Sequence, residues 1–306
     1  AQGSNGVSEI KTKRGVRGQT RVSYSYRLTG TWQPDGYKML TGDEYTMLQK
    51  EAYFNPKLSN AASDIIEFNY NSSNPNGWHN FDNNTDWIDA VKQTGYRQNH
   101  YISLTGGGEK ANFRIGAGYD HETGSIIKQQ LDRLTSRVAL DYFVSDRIKI
   151  ISDFSLTYTN RKLNSDDLWR IATVKMPNLS PYYEYQNGVQ SDDYYYMLQS
   201  AAGNTTKLDD QKGLANPIAS ANLATNSQRR YELAPKLELE YKLLGLDADH
   251  HQLRYNGLLF INVSNQYDDK DYPRELSTTN FIDTHSAYSY SATSLSYTTR
   301  HSLTYL

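Results

Sequence analysis

The chain has no cysteine among its 306 residues, so disulfide staples and thiolate metal sites are excluded. No apolar run reaches the roughly 18 residues that a membrane-crossing helix requires, and the mean hydropathy is low at -0.75. Charge of one sign is missing as well: 32 Lys and Arg stand against 34 Asp and Glu, a net charge of -2. That balance removes the basic field on which nucleic-acid binding depends. Catalytic signatures are missing too. There is no Gly-x-Ser-x-Gly elbow and no His-Glu-x-x-His, and Gly106-Gly107-Gly108 lacks the strand-to-helix setting of a phosphate-cradling loop. No enzymatic reading survives these absences.

What the sequence does have is alternation. Val22, Tyr24, Tyr26 and Leu28 fall on one face of an extended segment, with Arg21, Ser23, Ser25 and Arg27 on the other, because successive strand side chains point to opposite sides. Phe113, Ile115, Ala117 and Tyr119 oppose Asn112, Arg114, Gly116, Gly118 and Asp120. Val138, Leu140 and Tyr142 oppose Arg137, Ala139 and Asp141, and Ile150, Phe154, Leu156 and Tyr158 oppose Lys149, Asp153, Ser155 and Thr157; Ile151 and Ser152 break that register. Tyr231, Leu233, Leu237, Leu239 and Tyr241 oppose Glu232, Lys236, Glu238 and Glu240. About eight such segments read as an antiparallel meander.

A soluble β-sandwich alternates in the same way. Two features favour a membrane barrel. The connections run short and long in turn: Gly106 to Lys110, Ser145-Asp146 and Gly245 to Asp249 are tight, whereas about 65 residues follow the first strand, about 65 follow Asn160 and about 20 follow Asn265, the sidedness of outer-membrane barrels. The second feature is 26 Tyr and 4 Trp. Trp32, Tyr119, Tyr158, Tyr231, Tyr241 and Tyr255 fall near strand ends, where lipid headgroups satisfy both the ring and its polar tip. On the apolar face, a cation at Ala117 or Leu140 is expected to impair insertion, whereas Asn112 and Asp141 on the polar face are expected to accept one.

Several motifs carry a resemblance to a known family. Gly3, Asn5, Gly6 and Val7, then Lys13, Arg14 and Gly15, resemble the junction of plug and barrel in SusC/RagA-family TonB-dependent transporters of the bacterial outer membrane. Ser8, Glu9 and Lys11 depart from the more apolar strand usual there. Thr85-Asp86-Trp87-Ile88-Asp89-Ala90-Val91, Tyr119-Asp120-His121-Glu122-Thr123-Gly124-Ser125-Ile126-Ile127 and Asn216-Pro217-Ile218-Ala219 follow in the family's order. The resemblance implies an all-β, transmembrane, up-and-down antiparallel barrel of about 22 strands, of which about eight lie here as an arc. Residues 1–18 would end the plug and 19–306 would form barrel, with extracellular loops at about 33–95, 161–227 and 266–286. An export signal and most of the plug would lie outside this stretch.

Short helices are expected in the loops. Thr41 to Gln49 carries a cap at Thr41 and acidic residues in its first turn; Asp166 to Met176 sets Leu168, Trp169, Ile171 and Ala172 on one side, with Pro177 as its stop. Trp87 is expected to anchor its loop. Trp78 and the cluster Tyr182, Tyr183, Tyr185, Tyr194, Tyr195 and Tyr196 around an Asn187-Gly188 turn are the candidate cargo-contacting residues, since flat rings stack on sugars or peptide planes; loop packing is the competing reading. No cofactor is implied. Asp166-Asp167, Asp192-Asp193 and Asp268-Asp269 with Asp271 lack the spacing of a calcium loop, so loop calcium has no support, and the adjacent His250 and His251 point apart.

The resemblance implies TonB-dependent import of a glycan or peptide, with a SusD-like surface lipoprotein as partner, the TonB-ExbB-ExbD complex acting through the plug, and outer-membrane lipid around the wall. No nucleic acid enters. The alternative is a barrel that serves a structural, adhesive or secretion-associated role and imports nothing.

Overall fold

A computed structural model of the chain describes residues 13–34, 36–54, 79–165, 167–184, 189–195, 211, 214–246, 251–276 and 285–306. Ten strands and four helices are named. The strands are β1 (Gly18–Thr31), β2 (Gly95–Gly107), β3 (Ala111–Thr123), β4 (Gln130–Phe143), β5 (Ile148–Leu163), β6 (Tyr182–Glu184), β7 (Gln190–Tyr194), β8 (Thr225–Leu244), β9 (Leu253–Tyr272) and β10 (Ser286–Tyr305). The helices are α1 (Gly42–Phe54), α2 (Trp87–Val91), α3 (Leu168–Val174) and α4 (Pro217–Leu223).

Eight strands form one antiparallel sheet in the order β1-β2-β3-β4-β5-β8-β9-β10, and β6 with β7 forms a separate hairpin. Every neighbour in the large sheet is also the next large-sheet strand in sequence, so the meander expected from the alternation is present. The large sheet does not close, because β1 and β10 stand at its edges. The third long connection is shorter than expected. β9 runs on to Tyr272 and pairs with β10 from Ser286, leaving residues 273–285 as the link; polar residues Asp268 to Asp271 extend the ladder above the apolar band.

The register aligns the apolar positions across strands. Val22 faces Leu104, Leu104 faces Ile115, Ile115 faces Val138, Val138 faces Phe154, and Phe154 faces Pro235. Pro235 has no N–H to give the next ladder, and the β8–β9 pairing skips Ala234 and Pro235 between Leu233 and Lys236. These apolar side chains stand outward and exposed: Val22, Ile115, Val138, Phe154 and Leu237 lie among the exposed large hydrophobics. A soluble sandwich would bury that face.

Aromatic rings border the band. On one side Tyr26 stacks obliquely on His100 at 4.8 Å, and Tyr158 meets Tyr231 at 4.8 Å and Tyr231 meets Tyr267 at 6.4 Å. On the other side Tyr241 opposes Tyr255, whose hydroxyl bonds His301 Nδ1 at 2.7 Å. Along β5, Tyr158 lies in the first border and Ile148, the partner of Tyr241, in the second. Ten residues of strand at about 3.3 Å each, tilted by about 40°, give a band about 25 Å tall. That matches the hydrocarbon layer of an outer membrane.

The helices do not belong to this wall. They gather beyond the Tyr158 border, where the long connections meet, and bury a core of their own made of Phe81, Trp87, Val91, Leu168, Ala172, Met176, Leu179, Tyr195 and Ala221. Trp169 departs from the expected face of α3: it is exposed at 39%, while Leu168, Ile171 and Ala172 turn inward.

Candidate functional site

The polar face of the sheet is the candidate lumen. Ser23 and Ser103 share a 2.8 Å hydrogen bond across β1 and β2, and Arg114 donates to Thr105 Oγ1 at 3.2 Å. Arg137 Nε donates to Asp153 Oδ1 at 2.8 Å. Tyr101 lies over the glycines opposite it: a Cβ at Gly116 would stand 2.4 Å from its hydroxyl. The glycines that looked merely polar in the alternation are therefore a slot for a ring.

The segment leading into β1 stands against this face. Arg14 Nη1 donates to Asp141 Oδ1 at 2.7 Å, and Lys149 Nζ lies 3.5 Å from Asp141 Oδ2. Gly15 rides directly on β3, where a Cβ would meet the Phe113 backbone N and O at 2.5 Å, so only glycine fits. Lys13 lines a cavity of about 240 Å³ with Tyr101, Arg114, Gly116, Arg137 and Ala139. Of the junction residues, Lys13, Arg14 and Gly15 are thus placed on the lumen face, while Gly3, Asn5, Gly6 and Val7 lie outside the described residues. Asp141 corrects an expectation. It is buried at 7% exposure and holds two cations, so a third at its position would be opposed rather than accepted.

The loop cap is assembled by the quoted motifs. Asp86 caps α2 by accepting from Asp89 N at 2.9 Å, Thr85 Oγ1 donates to Leu179 O at 2.7 Å, and Trp87 Nε1 donates to Met176 O at 2.9 Å. Trp87 anchors its loop as expected, at 2% exposure. Ile127 N donates to Val91 O at 2.9 Å, which joins the tip after β3 to α2. Asn216 caps α4 through Ile218 N at 3.0 Å and Ala219 N at 3.2 Å, while its own amide donates to Pro181 O at 2.7 Å and Tyr195 O at 3.3 Å. Four bonds from one buried side chain explain why Asn stands before Pro217.

The tyrosines divide. Tyr195 is a core residue at 1% exposure, edge-on to Phe81 at 5.9 Å and to Tyr183 at 4.8 Å. Its ring has no open face. Tyr182 and Tyr194, half-buried, stack on each other at 5.3 Å, and burial together with the neighbouring Tyr194 and Asp192 raises the Tyr182 hydroxyl above the ordinary range. Trp78, Tyr185 and Tyr196 lie outside the described residues. Tyr194 is the last residue of β7 and pairs with Tyr182, whereas Tyr195 follows the strand and turns into the core. Among the described carboxylates of the loop pairs, Asp167 is bonded by Arg170 at 2.8 Å, and Asp269 by Arg229 at 2.9 Å and Ser289 at 2.8 Å.

Sequence reasoning picked out Arg21, Arg27, Arg114, Arg137 and Lys149 for the lumen but missed Arg133, Arg161 and Arg230. Their signal is the same alternation, read on the polar side.

No protein-family model matches the chain. TonB-dependent receptor P39 of Formosa agariphila is 25% identical over 189 residues, covering 58% of this chain and 16% of that receptor. TonB-dependent receptor P3 of the same organism is 22% identical over 150 residues, covering 49% of this chain and 13% of the receptor. In structure the chain is similar to the RagAB peptide importer in its closed-closed state, with a TM-score of 0.63 at 17% identity, covering 98% of this chain and 34% of that one. The open-open state gives 0.60 at 16% identity, covering 95% and 33%. The chain spans about a third of the length of those solved chains and a smaller share of the receptors. The outward apolar band, the polar inner face and these similarities agree: the chain has the fold of an open arc of a barrel wall like that of the RagAB importer, and it is similar in sequence to TonB-dependent receptors.

Proposed function

We propose that the whole protein imports a nutrient across the bacterial outer membrane by a TonB-dependent route, with this chain supplying one arc of the barrel and part of its outer mouth. The observation that carries the reading is Arg14 on Asp141 at 2.7 Å. A polar segment is held on the inner face of a wall whose outer face is apolar. A barrel that only anchors or adheres has no need to fix a charged segment within its lumen, whereas a gated importer must hold its plug and release it. Charge-assisted bonds suit that task because they are strong when dry and weaken once water enters.

The partner in this reading is a SusD-like surface lipoprotein seated over the loop cap, which the RagAB neighbours support. TonB with ExbB and ExbD would act through the plug. Cargo in this reading is an oligosaccharide or a peptide, and Tyr182 and Tyr194, half-buried and stacked on each other, are the candidate aromatic contacts among the described residues. The test is uptake by a strain lacking this protein across glycan and peptide panels, with a strain lacking TonB in parallel. Loss of the same nutrient in both strains is the expected result. Growth unchanged on every nutrient in the deletion strain would overturn import.

A further inference from the structure

One recess in the described wall lies on the lumen face, well above the Arg14 attachment. It has a volume of about 430 Å³ and is lined by Arg133, Thr135, Thr157, Thr159, Arg161, Gln228, Arg229, Arg230, Glu232 and Gln266. The register explains why the arginines converge. Arg133 faces Thr159, Thr159 faces Arg230, and Arg161 faces Gln228 two residues further along. Adjacent strands are about 5 Å apart, so three guanidinium groups share one patch within the reach of their side chains.

Carboxylates there balance them only in part. Glu232 is the acidic side chain in the lining, and it stands 3.9 Å from Arg230. Asp120 faces Arg133 across the β3–β4 ladder, but it already accepts from Arg97 Nη2 at 2.9 Å and from Asn99 Nδ2 at 2.8 Å. Arg230 Nε donates to Ser264 Oγ at 3.2 Å, a neutral partner. The Arg161 side chain makes no hydrogen bond or ion pair among the described residues. Arg229 points to the other face and is bonded by Asp269, so it does not add to the inward charge.

We propose that this recess binds a carboxylate group carried by the cargo. A guanidinium fork matches a planar carboxylate with two parallel N–H donors, and Thr135, Thr157 and Thr159 supply hydroxyls while Gln228 and Gln266 supply amides to the rest of the bound unit. The volume falls within the range of small-molecule sites. It holds more than a lone anion, so an acidic sugar or an acidic amino-acid residue fits. The recess also sits apart from the segment that precedes β1: Asp141, which holds Arg14, is eight residues down β4 from Arg133, about 26 Å of strand. It therefore faces the outer half of the lumen, where cargo arrives first.

This inference rests on the import reading, and its test is kept separate from uptake. Binding is measured by calorimetry on the full-length protein with its surface partner, using triglutamate against triglutamine and trigalacturonate against neutral trigalactose. The expected result is tighter binding of the acidic member of at least one pair, and which pair responds names the cargo class. Arg133→Gln with Arg161→Gln should weaken that acidic probe about tenfold and flatten its salt dependence while leaving the neutral probe unchanged. Arg161→Lys, which keeps charge but loses the fork, should fall between. Equal affinity for acidic and neutral probes in the natural protein overturns the proposal, and so does an acidic affinity that survives the double substitution. A fall in thermal stability of the double variant with unchanged acidic affinity also overturns it, because the recess then holds an acidic side chain of the protein itself. Anion binding that meets these terms in a protein whose deletion leaves uptake intact would sustain the recess and remove import.

Discussion

The barrel wall and the loop cap use the same apolar residue types in opposite directions. On the wall, Val138, Leu140, Phe154 and Leu237 stand exposed; in the cap, Val91 and Leu179 are at 0% and Met176 at 1%. The wall gains stability by giving its side chains to lipid, and its inner strands β2 to β5, β8 and β9 pair on both sides, the way a barrel satisfies its backbone. The cap is bathed in water and must bury apolar area against itself. A single chain therefore carries two definitions of inside, and the Tyr26, Tyr158 and Tyr231 border marks where one gives way to the other.

The strongest way to break the contrast is to empty the cap. Trp87→Ala deletes the largest side chain of its core and the 2.9 Å bond to Met176 O, and is expected to cost about 3 to 5 kcal/mol. Limited proteolysis should show cleavage in residues 79–94 and 164–184 while the strands keep their protection. If strand amides lose protection to the same extent, wall and cap are one cooperative unit and the division fails.

Next in size is a charge on the wall. Leu140→Arg faces lipid near the middle of the band and is expected to cost about 2 to 4 kcal/mol, read as loss of heat-stable, folded barrel on electrophoresis. One position on, Asp141→Lys keeps a luminal location but places a third cation beside Arg14 and Lys149, at an expected cost of about 2 kcal/mol. The two variants separate by readout. The first should fail to insert, whereas the second should insert and free the segment before β1 for proteolysis.

The wall was legible in the sequence and the cap largely was not, for a physical reason. Strand faces are written in a period of two, which any short window displays, and register follows once one face must be apolar. The cap depends on pairs such as Thr85 with Leu179 and Trp87 with Met176, 94 and 89 residues apart, which no window contains. Only the local parts could be read: the Thr41 cap and the helical spacing of Leu168, Ile171 and Ala172. Tyr195 illustrates the gap. Its burial depends on Phe81 and Tyr183 arriving from other segments, so the choice between cargo contact and loop packing could not be made from the cluster's own residues. The arginine recess was hidden differently, since its members are polar residues on a face that had already been called polar.

A smaller effect separates the two regions by pH. Lys175 is almost fully buried in the cap, with Nζ donating to Leu214 O at 2.6 Å, and burial pushes its ammonium down from 10.5 to about 7. Below pH 7 the group is charged whether the cap is folded or not, and the cost of burying that charge is fully present. Between pH 7 and 10.5 the folded cap has released a proton that the unfolded chain keeps, so cap stability rises with pH, by at most about 1.4 kcal/mol per unit. Lys175→Met should abolish this slope and make the cap more stable at pH 6. Thermal unfolding followed by tryptophan emission from pH 6 to 9 checks it; a natural cap with no slope over that range would show that the lysine reaches water.

The smallest expected effect asks how far the cap extends. Thr41 Oγ1 accepts from Glu44 N at 3.2 Å, and Glu44 Oε2 accepts from Thr41 N at 2.9 Å, a reciprocal capping box at the start of α1. The backbone N–H of Thr41 is the main cause that lowers the Glu44 carboxyl below its ordinary value, so the box is intact above the usual carboxylate range and weakens as pH falls through the lowered value. Thr41→Ala is expected to cost about 1 kcal/mol of helix stability. Tyr45 packs against the cap core, so the loosened first turn should also loosen that contact. Hydrogen exchange should therefore quicken at residues 43–47 and, by a smaller factor, at residues 87–91, while β1 is untouched. Faster exchange confined to α1 would make the helix an appendage of the cap. Spread into β1 would mean that the cap and the wall share a boundary at Trp32 after all.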